Sequence, residues 1–459
     1  MNFIRNRLYD STQIDFDHLL FPNKALRALL IPLILEQFLN SLMGMLDTMM
    51  VTRYGDAALS AVSSVDAVNN FIMNIFSALA AGAVIICSQY AGKHDEKKCN
   101  LAAGQIVMTV SVISLLVTAV CIVFRDPLLR LLFGQVERTV MENARSYFSI
   151  TALSYPFFAL FSAGSAFLRA GGNSRYPMVV SALSNVLHIL INFILIFGFD
   201  LGARGAALST LLSRIFCMVV IFIHLRKPGQ LIVVRKYMIK PVFAIIGTIL
   251  AIGVPAGIEN GMFYFGKLAI QSTIATLSPS QMAAQAMTNT MESFTSMAGT
   301  GIGLGLMTVV GQALGAGRQE EARYYIVKFT LISQIAVTLS CIAIYFVGPL
   351  ATRLSSMAAE SAALCLRMNT VHVIIKSLLW ALAFTPVNGM RAAGDVKYNM
   401  VVSTLIMWVL RVALCVYLIR FRGMGISAAW IALAADWVVR AGMMTHRYLS
   451  KKWIDHKVI

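Results

Sequence analysis

An all-α integral membrane fold, with about twelve transmembrane helices in two six-helix parallel repeats around a central cavity, follows from three observations. Of the 459 residues, 58% are hydrophobic and only 13% charged, and mean hydropathy is +0.74. A soluble chain of this length needs far more polar surface. Apolar runs of about 20 residues recur from end to end, each long enough to cross a hydrocarbon core as a helix. The residues around these runs repeat in the same order in the two halves of the chain. No segment alternates as barrel strands do, which leaves helices to satisfy the backbone in lipid.

The net charge of +17 would point to nucleic acid in a soluble protein. Here the Lys and Arg residues sit in short connections between apolar runs, as membrane topology requires. The seven cysteines are scattered, without a CxxC pair, and read as small packing residues rather than disulfides or metal ligands.

In chain order, residues 1–24 form a cytoplasmic N-terminal segment. It carries Arg5, Arg7, Asp10, Asp15 and Asp17 and lacks a signal peptide's apolar core. The N-terminal lobe, 25–225, holds spans expected at 25–51, 57–88, 101–124, 147–168, 177–197 and 203–225. A cytoplasmic linker, 226–241, follows with Pro228, Gly229 and several basic residues. The C-terminal lobe, 242–445, holds spans expected at 242–275, 281–310, 324–346, 364–388, 398–420 and 424–445, and 446–459 is a cytoplasmic tail. Lys93, Lys97, Lys98, Arg318, Arg323 and the linker's basic residues mark the inner side, which puts both termini in the cytoplasm. Pro32, Pro156, Pro255 and Pro386 lie inside spans and should kink them. Gly299, Gly301, Gly303 and Gly305 should let the eighth span pack closely or bend.

The halves are copies. Arg169, Gly172, Tyr176 and Ser181 recur as Arg391, Gly394, Tyr398 and Ser403, an offset of 391 − 169 = 222. Pro32, Glu36, Gln89 and Gly92 recur as Pro255, Glu259, Gln312 and Gly315, with 259 − 36 = 223. An even number of spans per copy makes the repeats parallel, an architecture of transporters whose two bundles rock against each other.

Polar residues recur along several spans at i, i+4, i+7 and i+11, a spacing that returns to one helix face within about 20°. The first span carries Glu36, Asn40 and Asp47; the second Asp66, Asn70 and Ser77; the fifth Ser181, Asn185, His188 and Asn192. The seventh carries Asn260, Tyr264, Lys267 and Gln271 beside Glu259, and the eighth Gln285, Asn289, Glu292 and Ser296. A charged group facing lipid costs roughly 3 kcal/mol or more, so these faces should turn inward. For the asparagines, interhelical glue and function both remain open. For Glu36, Asp47, Asp66, Glu259 and Glu292 the expense of a buried ionisable group points to function. Lys267 could neutralise Glu259 or Glu292. His188 is a candidate proton relay, although a hydrogen-bonded histidine is the plainer reading. Asp436 and Arg440, at i and i+4, read as a structural ion pair. With acids in the stripes and no arginine among them, the expected cargo is cationic and lipophilic.

The duplicated six-span halves, the stretch Met43-Gly44-Met45-Leu46-Asp47-Thr48, and Val310-Gly311-Gln312 with Gly315-Ala316-Gly317 resemble the multidrug and toxic compound extrusion (MATE) family. Leu168-Arg169-Ala170-Gly171-Gly172 and Met390-Arg391-Ala392-Ala393-Gly394-Asp395 look like its loops after the fourth and tenth helices. The resemblance implies efflux of cationic or amphipathic organic compounds in exchange for Na⁺ or H⁺. It also implies a cation site built from an Asp of the first helix with an Asn and an Asp of the fifth. Asp47 matches the first, but His188 and Asn192 stand where Asn and Asp would be, so one carboxylate is missing. Glu259 lies near the acid of the seventh helix that matters in the family, and a transported Na⁺ is expected near Asp47 or Glu259. The acid that some members carry in the tenth helix is missing, that region reading Ser377-Leu378-Leu379-Trp380.

The alternative is a flippase for lipid-linked saccharide from the same wider superfamily. Such flippases commonly add spans and line their cavity with arginines, whereas acids stand in these stripes. An enzyme is not expected, since no HExxH motif or nucleophile elbow occurs. Gly261-Met-Phe-Tyr-Phe-Gly266-Lys267 imitates a phosphate loop but ends in Leu268 inside an apolar helix. No nucleotide or other cofactor is therefore expected beyond the coupling ion. The expected partners are organic cations or amphipathic drugs and the bilayer, with the protein a monomer in the cell membrane.

Overall fold

Long apolar runs with little polar punctuation fold as helices, here in the order α1 Asn23–Thr52, α2 Asp56–Gly92, α3 Glu96–Val123, a short helix Arg125–Phe133, and α4 Arg138–Ala170. Then come α5 Arg175–Gly198, α6 Gly202–Leu225, α7 Phe243–Ile274, α8 Pro279–Gly315, α9 Gln319–Leu354, α10 Ala359–Ala392, α11 Val396–Arg420 and α12 Ser427–Leu449. The structure, a computed structural model, describes residues 8–52, 56–134, 138–234, 239–355, 357–456 and 458–459. The side chains of 45, 47–49, 51–52, 56–60 and 131–133 also lie outside the described residues, as does the 235–238 part of the linker. Among the described residues no strand forms.

Eleven of these helices, α1 to α11, are long and apolar enough to cross a membrane. At 23 residues α12 has the length, about 35 Å. Buried Asp436 and Arg440 make it less apolar than the others. Pro32, Pro255 and Pro386 lie inside helices as expected. Pro156 lies inside the span α4 and breaks it, as expected: the helix stops at Ser154 and restarts with Pro156 in its new first turn, where a missing N–H costs nothing. In α11 a π-helical stretch, Met407–Ala413, interrupts the regular ladder and contains buried Arg411.

The duplication is visible in backbone detail. Gly172 and Gly394 both take left-handed backbone, at φ 82° and 98°, and are repeat equivalents by 394 − 172 = 222. Each closes its helix with a Schellman pair: Asn173 N–H donates to Leu168 O at 2.9 Å, and Asp395 N–H to Met390 O at 3.1 Å. The ends of α2 and α8 repeat the motif, with Asp95 N–H on Tyr90 O and Arg318 N–H on Ala313 O. There the left-handed residues are Gly317 at φ 75° and, at its equivalent position (317 − 94 = 223), His94 at φ 55°.

The helices group into two units. The first comprises Phe38–Gly257 and the second the described residues up to Gln37 together with Ile258–Ile459. In the first, α2 packs on α3 and α4, α3 on α4, α4 on α6 and α5 on α6; in the second, α8 packs on α9 and α10, α9 on α10, α10 on α12 and α11 on α12. Among these five helices of each half the packing pattern is the same. The change of unit falls inside α1 and α7 rather than at the linker, and small residues explain why. A Cβ on Gly301 would lie 3.0 Å from the Leu33–Ile34 backbone, and one on Gly305 2.6 Å from Leu30, so the first half of α1 lies close on α8. In the other unit Gly82 faces Ile252 and Gly253 faces Leu79, which brings the first half of α7 onto α2.

The segment before α1 is tied to the second unit. Glu320 and Glu321, in the first turn of α9, accept the backbone N–H of Asp10 and Leu20, both at 2.7 Å. Tyr325 OH accepts from Phe21 N–H, and Tyr448 OH donates to Leu8 O.

Candidate functional site

Glu259, Glu292 and Asp436 sit in helices of the second unit, and their surroundings differ. Glu259 of α7 is buried, with its Oε2 2.6 Å from Nη2 of Arg391 at the end of α10. The pair stands in the wall of a cavity of about 240 Å³ that Asn260, Phe263, Trp380, Phe384 and Arg440 also line. Asp436 of α12 is fully buried between two arginines: Arg440 Nη2 lies 2.9 Å from Oδ1 and Arg411 Nη1 3.6 Å from Oδ2. The i, i+4 ion pair read from sequence is thus a triad. Its guanidinium groups stack on aromatic faces, Arg440 over Phe384 at 5.2 Å and Arg411 over Phe263 at 5.6 Å.

Glu292 of α8 differs from both, because among the described residues its carboxylate has no cation within ion-pairing distance. Positive charge surrounds it at longer range, from Lys376, Lys267 and Arg411. Lys376 of α10 is wholly buried. Its Nζ donates to Thr295 Oγ1 and Ser296 Oγ, each at 2.6 Å, and to the backbone carbonyl of Glu292 at 3.0 Å. The ring of Trp380, which also lines the cavity, lies 5.8 Å from Nζ. One turn before Lys376, His372 is buried edge-on to Trp430 and Trp437, and neither ring nitrogen has a hydrogen-bond partner among the described residues. Lys267 is exposed, with Nζ 5.2 Å from the Phe263 ring centroid. Lys267 therefore neutralises neither acid by contact; Arg391 does so for Glu259.

These geometries correct the expectation that no arginine meets the acid-bearing faces. Arg391, Arg411 and Arg440 all do, and with Lys267 and Lys376 they outnumber the three carboxylates. In sequence Arg391 and Arg411 were hidden by separation, since each meets its carboxylate from another helix, whereas Arg440 shares a helix with Asp436. Lys376 and His372 had a signal that went unread: His372, Lys376 and Trp380 stand at i, i+4 and i+8 in an apolar span.

In the first unit Asp66 is held by neutral donors, Asn69 Nδ2 at 3.1 Å and Tyr147 OH at 2.9 Å. Asn69 Oδ1 in turn accepts from Tyr155 OH at 2.7 Å. Nearby Arg214 donates to Ser154 Oγ and stacks over Phe158. Asn69, Tyr147, Tyr155 and Arg214 were not singled out in sequence. On α5, Ser181, His188 and Asn192 are buried, and Asn185 is half-buried, its Nδ2 without a hydrogen-bond partner among the described residues. Ser181 Oγ donates to Asn40 Oδ1, and Asn192 Oδ1 accepts from Ser209 Oγ at 3.1 Å, with the same hydroxyl 3.5 Å from His188 Nε2. The α5 stripe is thus turned toward α1 and α6. The Asp47 side chain lies outside the described residues. Glu36 is buried, and falls, like Glu259, in the second unit.

Comparison with known proteins agrees with the duplication. The MatE family model matches twice, over residues 32–194 and 255–417, an offset of 255 − 32 = 223. The "Probable multidrug resistance protein NorM" of Thermotoga maritima is 26% identical over 444 residues, which cover 95% of this chain and 94% of that one. The "Uncharacterized transporter YisQ" of Bacillus subtilis is 26% identical over 443 residues, 92% of this chain and 93% of its own. A solved structure described as the outward-facing conformation of a multidrug resistance MATE family transporter of the MOP superfamily shares the fold with TM-score 0.86 at 18% identity, covering 94% of this chain and 96% of that one.

Proposed function

This chain belongs to the MatE family of multi-pass membrane transporters, and we propose that it exports amphipathic organic compounds, cations among them, by antiport with H⁺ or Na⁺. Relatives named as multidrug resistance and multidrug export proteins support drug efflux. The observation that carries the charge preference is Glu292. Its neighbours Glu259 and Asp436 are neutralised by arginines at 2.6 to 3.6 Å, whereas Glu292 keeps a carboxylate free of contact ion pairing. A cationic cargo or coupling ion gains most at such a group, since the others already spend their charge. Phe263, Trp380 and Phe384, the aromatic walls of the cavity beside Glu259, suit planar apolar bodies of varied shape. The flippase reading draws no support from Arg391, Arg411 and Arg440, because each of these three meets a carboxylate.

Asp47, with Asn185, His188 and Asn192, stands as a second ion site in this proposal, and the positive-inside pattern supports cytoplasmic termini. The decisive experiment reconstitutes the purified protein in liposomes and follows ethidium efflux with imposed H⁺ and Na⁺ gradients in turn. Efflux driven by one gradient and not by an equal salt step without a gradient supports antiport. Absence of efflux under both rejects it.

A further inference from the structure

We propose that Lys376 carries the exchangeable proton of the second unit, an inference that rests on the antiport reading above. The geometry reads as an ammonium ion. All three Nζ contacts are to oxygen: the Thr295 hydroxyl, the Ser296 hydroxyl and the Glu292 carbonyl. The two hydroxyls spend their own protons on that same Glu292 carbonyl, at 2.8 and 3.0 Å, so they present lone pairs to Nζ. Three acceptors around one nitrogen match the three donors of –NH₃⁺.

The same cradle accepts the neutral amine. When an Nζ–H bond breaks and the proton leaves to the aqueous side then open, the nitrogen keeps the electron pair. Rotation of either hydroxyl about its C–O bond then turns a donor toward that pair, and the Glu292 carbonyl keeps the other hydroxyl. Both protonation states are therefore hydrogen-bonded without movement of a helix. A lysine fixed in one state by a contact carboxylate could not do this, and among the described residues Lys376 has no such partner. Protonation and loss are balanced, since one proton enters and the same proton leaves.

The groups facing Lys376 supply the coupling. The charged and titratable groups around it are the Glu292 carboxylate from α8, Lys267 from α7, Arg411 from α11 and, on its own helix, His372. From α9 the facing titratable group is Cys341, and from α12 the Asp436–Arg440 pair is internally neutralised. The balance hangs on Glu292. A cation that binds Glu292 takes away the one charge that holds the proton on Lys376, so cargo and proton exclude each other.

Two measurements on the purified full chain test this. The first needs no cargo: potentiometric titration of wild type minus Lys376→Arg, the latter charged throughout. A difference of about one proton appearing between roughly pH 5 and pH 9 is expected, and a flat difference overturns the inference. The second records proton release into weak buffer on addition of ethidium. Wild type is expected to release about one proton per bound cation, and Lys376→Arg under a tenth of that at preserved protein folding. Thr295→Val with Ser296→Ala leaves the lysine but removes the rotating hydroxyls, and should move the midpoint of the titration step; an unmoved midpoint also counts against the inference. Failure of the antiport reading shows separately, as a wild type that titrates at Lys376 yet drives no efflux under either gradient.

Discussion

Arg391 closes on Glu259 at 2.6 Å, joining the last turn of α10 to the middle of α7 beside the cavity. From sequence Glu259 was expected to be a functional ionisable acid that Lys267 could neutralise. As an ion pair with 10% and 20% of its side chains exposed, it is a structural tie as well. Glu259→Gln should destabilise by about 2–4 kcal/mol, less than full burial would cost, by stranding Arg391. Glu259→Gln with Arg391→Gln should recover part of that loss. Thermal unfolding of the four proteins in detergent measures it, and strictly additive losses would show that the contact has no energetic meaning.

Glu292 has no such tie. Glu292→Gln should lower gradient-driven ethidium efflux by tenfold or more, roughly 1.4 kcal/mol per decade, with the unfolding midpoint within about 2 °C of wild type. Efflux at the wild-type rate, at matched protein in the vesicles, would move the cation site elsewhere, with Asp66 next. Asp47→Asn provides the parallel test of the first unit and is expected to reduce ion-driven efflux as well.

A methyl group on Gly299 would come within 2.1 Å of the Trp380 ring, with Val337 behind it. Gly299→Ala should therefore push the indole off the lysine cradle and cost about 1–3 kcal/mol by overpacking. Intrinsic fluorescence of Trp380, isolated by replacing the other tryptophans, should shift with the substitution. An unchanged spectrum and midpoint would mean that the ring has room to move.

His94 holds φ 55° where the repeat has Gly317. His94→Gly should stabilise by about 0.5–1 kcal/mol, the left-handed strain relieved outweighing the added freedom of the unfolded chain. Gly317→His should lose a similar amount. Equal stability of all three proteins would leave the backbone argument without support.

The charge asymmetry predicts that cysteines placed at Lys227 and Lys451 stay unlabelled by an impermeant thiol reagent in intact cells and react after permeabilisation. All seven native cysteines are buried, which limits background labelling. Labelling of either site from outside would invert the assignment.

Class, helix order and duplication were legible in the sequence because each depends on local composition or on direct identity between the halves. Apolar length decides a span, and the Gly172/Gly394 equivalence decides two helix ends, before any packing is known. The tertiary structure decided which charges meet. Arg391 with Glu259, Arg411 with Asp436, and Lys376 with the Thr295 and Ser296 hydroxyls each join residues from different helices. Helical periodicity fixes the face a residue takes on its own helix and says nothing of the helix it will face. That partner depends on how closely α8, α10 and α12 approach one another, and so on where glycines such as Gly299 let them.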